Sequence, residues 1–353
     1  MWARYGLVCL AAGAMALAAM FSVSAKAEPI RGAGSTFAAP AIASWGKTYK
    51  NVRADGGDFF TLDWSVDYEP VGSLAGVMRL ANPEMDFAAT DAPLSPTEVS
   101  KRNVAQFPIV MGGVAVVANI KEVEPGKLRL NGPVLARIFT GEIKNWSDPA
   151  IAELNPGLKL PSRPIAVLRR QDGSGSTFVF SSYLSETSPQ WRDKFGADTL
   201  IKWTAGQGVE GGGELARQAA QTADSVAYVE YGQALRASLS LAQLQNAAGD
   251  FVLASPQSFA AGLSSVSWSA AQHFVVDTTN MPGAGAYPMA AVTYAVIPKD
   301  RGRQRIGRVM DFFRLAYQQG GKDAEGLGYV PVAPALAEQV ESYWAAEFSE
   351  ASN

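Results

Sequence analysis

One local pattern recurs in the chain: glycine and small hydroxyl residues stand at the start of a helical segment. It occurs in Gly32–Phe37, in Gly72-Ser73 and in Asp172–Thr177. Backbone N–H groups and the positive end of the helix dipole point outward at a helix start, and the hydroxyls add donors. One such turn is ordinarily only a helix cap, whereas three in one chain indicate a site for an anion.

Two adjacent arginines precede the third turn. Arg169 and Arg170 lie directly before the glycine-serine segment, and Asp172 follows two residues after Arg170. A guanidinium can hold an oxyanion through two parallel hydrogen bonds. Asp172 is placed to fix the guanidinium of Arg170. The alternative interpretation of these charges is a solvated surface pair.

The sequence lacks several motifs that are typical of enzyme active sites. Neither glycine-rich turn contains Gly-x-Ser-x-Gly or is followed by the Gly-Lys-Ser/Thr of a Walker loop. His273 is the only histidine, and we interpret it as a surface or cap residue. Cys9 is the only cysteine, and no His/Asp/Glu cluster has metal-ligand spacing. We therefore expect no catalytic residue, no metal and no cofactor.

The first residues have the composition of an export signal. An apolar stretch follows Arg4 and ends at Ala25-Lys26-Ala27, a small-x-small cleavage pattern. We expect residues 1–27 to be a signal peptide that is cleaved after Ala27. The alternative is a membrane anchor, because the apolar run approaches the length of a span. The chain has a formal net charge of −3, and the signal takes two positive charges with it, which argues against a nucleic-acid partner.

Short apolar strands alternate with helical segments along the rest of the chain, which predicts an α/β fold in two domains. The predicted strands are 62–68, 109–119, 165–169, 225–230 and 291–298. Helical spacing of apolar residues covers 38–49 and 74–81, and 95–98 form a capping box. The glycine-rich stretch 206–213 is expected to be a flexible loop.

At these residues the chain resembles the periplasmic phosphate-binding proteins of phosphate ABC importers. The matching stretches are 32–37, 72–73, 86–94, 139–146, 154–161, 169–178 and 228–231, and the likeness covers essentially the whole mature chain. The resemblance implies a type II periplasmic binding protein fold, in which two α/β lobes enclose the ligand in a cleft. It implies lobe I in residues 28–118 and 288–353, lobe II in 119–287, and two crossings near 112–120 and 288–298.

The resemblance also implies a phosphate site. Its ligand residues would be Thr36, Phe37, Ser73, Asp91, Arg170, Ser174, Gly175 and Ser176. Phe37 would act through its backbone N–H, and Asp172 would orient Arg170. Two positions depart from the family pattern: Leu74-Ala75 follow Ser73 where Ser-Gly is common, and Val209-Glu210 interrupt the glycine-rich stretch where a lysine is common.

The resemblance implies that the protein captures inorganic phosphate in the periplasm and delivers it to the membrane permease subunits of an ABC importer. It is expected to be a monomer and not an enzyme. Phosphate near neutral pH keeps a proton that Asp91 can accept, whereas sulfate has none to offer. Three alternatives remain: a binding protein for another oxyanion such as sulfate or molybdate, an exported phosphatase or phosphate-ester hydrolase, and an adhesin or sensor on the same scaffold.

Overall fold

The structure is a computed structural model, and it describes residues 28–54 and 63–349. Its strands are β1 (Ile30–Gly34), β2 (Val66–Glu69), β3 (Phe87–Thr90), β4 (Val104–Ala118), β5 (Arg129–Leu130), β6 (Ala166–Arg170), β7 (Gln207–Val209), β8 (Ser225–Glu230), β9 (Gln243–Gln245), β10 (Phe251–Val252) and β11 (Ala290–Pro298). Its helices are α1 (Ala39–Ala54), α2 (Ser73–Arg79), α3 (Pro96–Arg102), α4 (Gly132–Phe139), α5 (Pro149–Leu154), α6 (Gly175–Thr187), α7 (Pro189–Lys194), α8 (Gly212–Gln221), α9 (Tyr231–Arg236), α10 (Pro256–Leu263), α11 (Arg303–Gln319), α12 (Gly321–Gly326) and α13 (Pro334–Glu347), with a 3₁₀ turn at Ala270–Gln272.

The main sheet has two parallel halves that antiparallel strands connect. Its strand order is β2-β1-β3-β11-β4-β8-β6-β7, and a smaller sheet has the order β10-β9-β5. β1 pairs in parallel with β2 and β3, and β6 pairs in parallel with β7 and β8. β11 and β4 lie between the two halves and run antiparallel to their neighbours. The architecture is the mixed α/β class that the sequence predicts.

β4 determines where the two halves meet. Its residues 104–113 pair with β11, and its residues 114–118 pair with β8. Through these antiparallel pairings β3 points toward the C-terminal end of β4, whereas β8 points toward its N-terminal end. The carboxyl ends of the parallel strands in both halves therefore face each other beside the middle of β4. Ligands of open α/β sheets bind outside the carboxyl ends of the strands.

Helix α1 packs on this sheet through the face that its sequence predicts. Ala41, Ile42, Trp45 and Tyr49 are all buried, and the indole Nε1 of Trp45 donates to the carbonyl oxygen of Gly320 at 3.1 Å. Burial of one apolar stripe against the sheet is what stabilises an amphipathic helix in a globular domain. The first helix is therefore held firmly behind the turn that precedes it.

Several other predictions agree with the structure. β8 covers the predicted residues 225–230, and α3 begins with a capping box in which the Glu98 backbone N–H donates to Ser95 Oγ. His273 caps the 3₁₀ turn in a left-handed conformation, and its Nδ1 lies 2.8 Å from the hydroxyl of Tyr343. The interpretation of His273 as a surface or cap residue agrees with this position.

Two predictions were wrong. The stretch 206–213 is not a loop throughout, because Gln207–Val209 form the edge strand β7 and α8 starts at Gly212. Helix α2 ends at Arg79, and on its predicted apolar face Leu74 and Met78 are 38% and 65% exposed. A seven-residue helix has too few turns for spacing alone to identify a buried face.

Other expectations concern residues outside the described part of the chain. The signal peptide with Cys9, and Leu62 at the start of a predicted strand, lie there; the strand that follows is Val66–Glu69. Among the described residues, no helix combines the length and the apolar character that a membrane span requires.

Candidate functional site

The predicted ligand residues all follow, or end, strands of the two parallel halves. Thr36 and Phe37 follow β1, Ser73 follows β2, Asp91 follows β3, and Arg170 ends β6 and leads into the turn at 172–176. Because the carboxyl ends of these strands face each other, the fold gathers residues that are far apart in sequence.

Asp91 is buried, and its carboxylate accepts hydrogen bonds from hydroxyl groups of three parts of the chain. Ser35 Oγ lies 2.7 and 2.8 Å from its two carboxylate oxygens, Thr293 Oγ1 donates at 2.6 Å, and Ser73 Oγ donates at 3.3 Å. The backbone N–H of Asp91 donates in turn to Ser73 Oγ at 3.1 Å. These contacts fix the carboxylate in one orientation.

The environment of Asp91 makes it a stronger proton acceptor than an exposed aspartate. Burial raises its pKa to about 6, against the hydrogen bonds from Thr293 and Ser35, which lower it, and together with the negative charge of Glu230, which raises it. The carboxyl group is therefore ionised above about pH 6. In that state it can accept a proton from a ligand, and it repels an anion that has no proton to donate.

Arg170 is the buried cation of the site. Its side chain is 1% exposed; its Nε donates to Asp172 Oδ1 at 2.6 Å, its Nη2 donates to Asp172 Oδ2, and its Nη1 donates to Thr36 Oγ1 at 3.2 Å. Burial disfavours the charged guanidinium, but the hydrogen bonds to Asp172 and the negative charges of Glu230 and Asp172 together hold the pKa of Arg170 above its ordinary value. The predicted contact between Asp172 and Arg170 is present.

The third turn contacts both Asp91 and the second turn. Ser174 caps α6, and its Oγ accepts from the Thr177 N–H at 3.3 Å. The N–H groups of the first helical turn, which include those of Gly175 and Ser176, have no partners within the helix. A Cβ at Gly175 would lie 2.4 Å from Asp91 Oδ2 and 2.5 Å from Ser73 Oγ, so only glycine fits there.

Phe37 places its side chain in the core and not in the site. It is 3% exposed, its ring meets that of Tyr329 edge-on with centroids 5.2 Å apart, and its carbonyl oxygen accepts from the Tyr329 hydroxyl. This placement is compatible with the prediction that only its backbone N–H serves a ligand, and that role stays a prediction.

Glu230 is a site residue that the sequence reasoning missed. Its Oε1 accepts from Ser176 Oγ at 2.8 Å and from Thr36 Oγ1 at 3.0 Å, and it lies 3.5 Å from Arg170 Nη1. The residue stands in the matching stretch 228–231 and ends β8, directly beside the crossing to β4. Its position at the carboxyl end of a predicted strand was the available signal.

Two further residues were missed, Ser35 and Thr293. Ser35 lies inside the first turn, directly before the predicted ligand Thr36. Thr293 is a fully buried hydroxyl within the apolar strand β11, and the only signal was a polar residue in an apolar run. Both hydroxyls donate to Asp91 and so belong to the site.

A cavity of about 430 Å³ borders Asp91, and Arg170 is not among its lining residues. It is lined by residues of α6, by 275–279 and by the carboxylate residues Glu98, Glu186 and Asp277. An anion needs aimed donors to replace its hydration. The group that offers such donors contains Arg170, Thr36 and Ser176, none of which lines this cavity. The described residues contain no group of three or more His, Cys, Asp or Glu side chains placed to hold a metal ion.

Comparisons with known proteins agree on one family. Residues 21–316 match the PBP superfamily domain. The chain is 40% identical over 324 residues to the phosphate-binding protein PstS of Xylella fastidiosa (strain Temecula1). The matched region covers 92% of this chain and 86% of that protein. It is 36% identical over 338 residues to the phosphate-binding protein PstS of Pasteurella multocida. That match covers 95% of this chain and 96% of the relative.

A similar fold occurs in a solved structure. The high-affinity periplasmic phosphate-binding protein PfluDING, bound with phosphate at pH 8.5, has a TM-score of 0.68 and 18% sequence identity, and the match covers 89% of this chain and 93% of that one. This similarity shows the two-lobed fold of the periplasmic binding proteins.

Proposed function

This chain belongs to the phosphate-binding proteins of the PBP superfamily, and we propose from that premise that it binds inorganic phosphate between its two lobes for an ABC importer. The relatives carry the names of binding proteins, which agrees with the prediction that the chain is not an enzyme.

One observation carries the proposal. Two consecutive residues of the first turn connect the acceptor and the cation of the site: Ser35 donates to Asp91 at 2.7 Å, and Thr36 accepts from Arg170 at 3.2 Å. A single buried site thus contains a guanidinium that attracts an oxyanion and a carboxylate that accepts a proton. Few ligands other than a protonated oxyanion satisfy both.

The remaining predicted ligands supply neutral donors. Thr36, Ser73 and Ser176 have hydroxyl groups at the site, and α6 offers the N–H groups of its first turn. Neutral donors and helix dipoles stabilise an anion without the need for an equal count of basic side chains. We assign these residues, with Phe37, Ser174 and Gly175, to phosphate, and we assign Asp172 to the orientation of Arg170.

Specificity follows from the carboxylate. Phosphate carries at least one proton near neutral pH and can donate it to Asp91, whereas fully ionised sulfate would place a charged oxygen against a buried carboxylate. Like-charge contacts of this kind cost several kcal/mol. Mismatched polar groups in a desolvated site discriminate by roughly 10⁴–10⁵.

The lobe boundaries, the export and the partner belong to the same proposal. The sheet topology supports a division into residues 28–118 with 288–353 and residues 119–287, because β4 passes from one parallel half to the other. We propose cleavage after Ala27, action in the periplasm, and delivery to the permease subunits of a phosphate importer.

Titration calorimetry on the mature protein tests the function. We expect saturable binding of phosphate, competition by arsenate, which is also protonated, and no binding of sulfate near pH 8. Sulfate binding as tight as phosphate binding would support a different oxyanion as the ligand. Turnover of a phosphomonoester, with or without divalent metal, would contradict the proposal and favour a hydrolase.

A further inference from the structure

We propose that Glu230 sets the phosphate affinity of the site by competing with the anion for its donors. The inference rests on the proposed function, because it concerns three donors that the proposed function assigns to phosphate: Thr36, Arg170 and Ser176. Glu230 is thus distinguished from Asp91: Asp91 accepts a proton from the ligand, whereas Glu230 opposes the ligand.

Glu230 engages donors from separate parts of the chain through one oxygen atom. Ser176 Oγ, Thr36 Oγ1 and Arg170 Nη1 lie 2.8, 3.0 and 3.5 Å from Oε1. These three groups stand at the starts of α6 and α1 and at the end of β6. They are also three of the donors that the proposed function assigns to phosphate.

The competition follows from the number of hydroxyl protons. A serine or threonine hydroxyl has a single proton to donate. The protons of Thr36 and Ser176 that point at Glu230 Oε1 are the ones that a phosphate oxygen needs. Phosphate must therefore replace a carboxylate, which is a charged and strong acceptor, as the acceptor of both hydrogen bonds.

The charges at the site also indicate that Glu230 opposes the binding of an anion. Arg170 is the one cation that contacts Glu230 in the described part of the chain, and Asp172 already pairs with two of its nitrogens. Glu230 is 2% exposed, so water screens its charge poorly. An incoming anion thus meets an additional negative charge that Arg170 only partly balances.

The second oxygen of Glu230 strengthens this inference. Oε2 is buried and has no hydrogen-bond partner among the described residues. A Cβ at Gly212 would lie 2.4 Å from it, so the start of α8 closes the space on that side. A carboxylate whose second oxygen lacks a donor is poorly stabilised, and an amide nitrogen at that position would leave no charge unpaired.

The test is the isosteric change Glu230→Gln in the mature protein, titrated with phosphate by calorimetry. Glutamine keeps an oxygen that can accept from Thr36 and Ser176 but removes the charge. We expect phosphate to bind at least about tenfold more tightly. A gain of affinity is informative, because damage to the fold would lower affinity. The matched control is Glu214→Gln on α8, which removes an exposed carboxylate paired with Arg217 and is expected to leave affinity unchanged.

Glu230→Asp serves as a second variant. It keeps the charge but draws the carboxylate back from Thr36 and Ser176, so its affinity is expected to lie between those of the wild type and Glu230→Gln. If Glu230→Gln does not fold, as judged by its thermal unfolding, this variant decides the question alone.

The outcomes separate the two proposals. A wild type that binds phosphate, with Glu230 variants that bind equally or less tightly, overturns the role of Glu230 and leaves the proposed function standing. A wild type that does not bind phosphate overturns the proposed function, and the inference with it. Equal tightening by Glu230→Gln and Glu214→Gln would show a general charge effect and also overturn the inference.

Discussion

Asp91→Asn is expected to admit sulfate to the site. The amide oxygen can still accept from Thr293 and Ser35, so the side chain keeps its place, but its charge is gone. Removal of a like-charge contact at a side chain that is 5% exposed is expected to strengthen sulfate binding by about 3 kcal/mol, roughly a hundredfold. Phosphate is expected to bind about tenfold more weakly, because a neutral amide oxygen accepts its proton less well than a carboxylate does.

The assay is calorimetric titration of both anions near pH 8, where Asp91 is ionised. Asp86→Asn is the matched control, since Asp86 is also a 5% exposed aspartate but lies at the opposite end of β3, directly before its first residue, where it accepts from the backbone N–H of Arg31 and from the side chain of Arg305. The control should keep the selectivity of the parent. If Asp91→Asn excludes sulfate as strongly as the parent does, the proton-acceptor explanation is wrong.

Three more predictions follow from the same contacts. Arg170→Lys keeps the charge but loses the planar fork, so phosphate affinity measured by calorimetry should fall by about a hundredfold; an unchanged affinity would show that Arg170 does not bind the anion bidentately. Because burial raises the pKa of Asp91 to about 6, sulfate affinity should rise by up to about tenfold per unit as the pH falls from about 8 toward about 6, and it should level off below that, where the carboxyl group is already protonated; Asp91→Asn should abolish that dependence, and a flat profile in the parent would refute it. Gly175→Ala places a methyl group 2.4 Å from Asp91 Oδ2 and should lower phosphate affinity by at least about tenfold, whereas Gly307→Ala, with open space around it, should not; equal affinities in these two variants would contradict the close contact of the third turn with Asp91.

The sequence predicts the local features of this protein well. The strand at 225–230, the capping box at Ser95 and the contact between Arg170 and Asp172 all depend on residues close together in the chain. Such features follow from short-range spacing and from the chemistry of helix ends. They can be predicted without knowledge of the strand order.

The contacts that complete the site could not be predicted in this way. Thr293 lies 202 residues from Asp91 and Glu230 lies 194 residues from Thr36, and only the order and register of the strands bring them together. The edge strand β7 was missed because glycine-rich composition favours a loop, while its pairing with β6 comes from the tertiary fold. Both failures concern long-range pairing.

A crystal structure of the mature protein with phosphate tests the central claim most directly. We predict one phosphate oxygen within about 2.5–2.7 Å of an Asp91 carboxylate oxygen, the distance of a proton-sharing contact to a charged acceptor, with other oxygens on the guanidinium of Arg170 and on Ser176. A phosphate that binds without any oxygen near Asp91, or in the cavity lined by α6 and residues 275–279 without contact to Arg170, would contradict it.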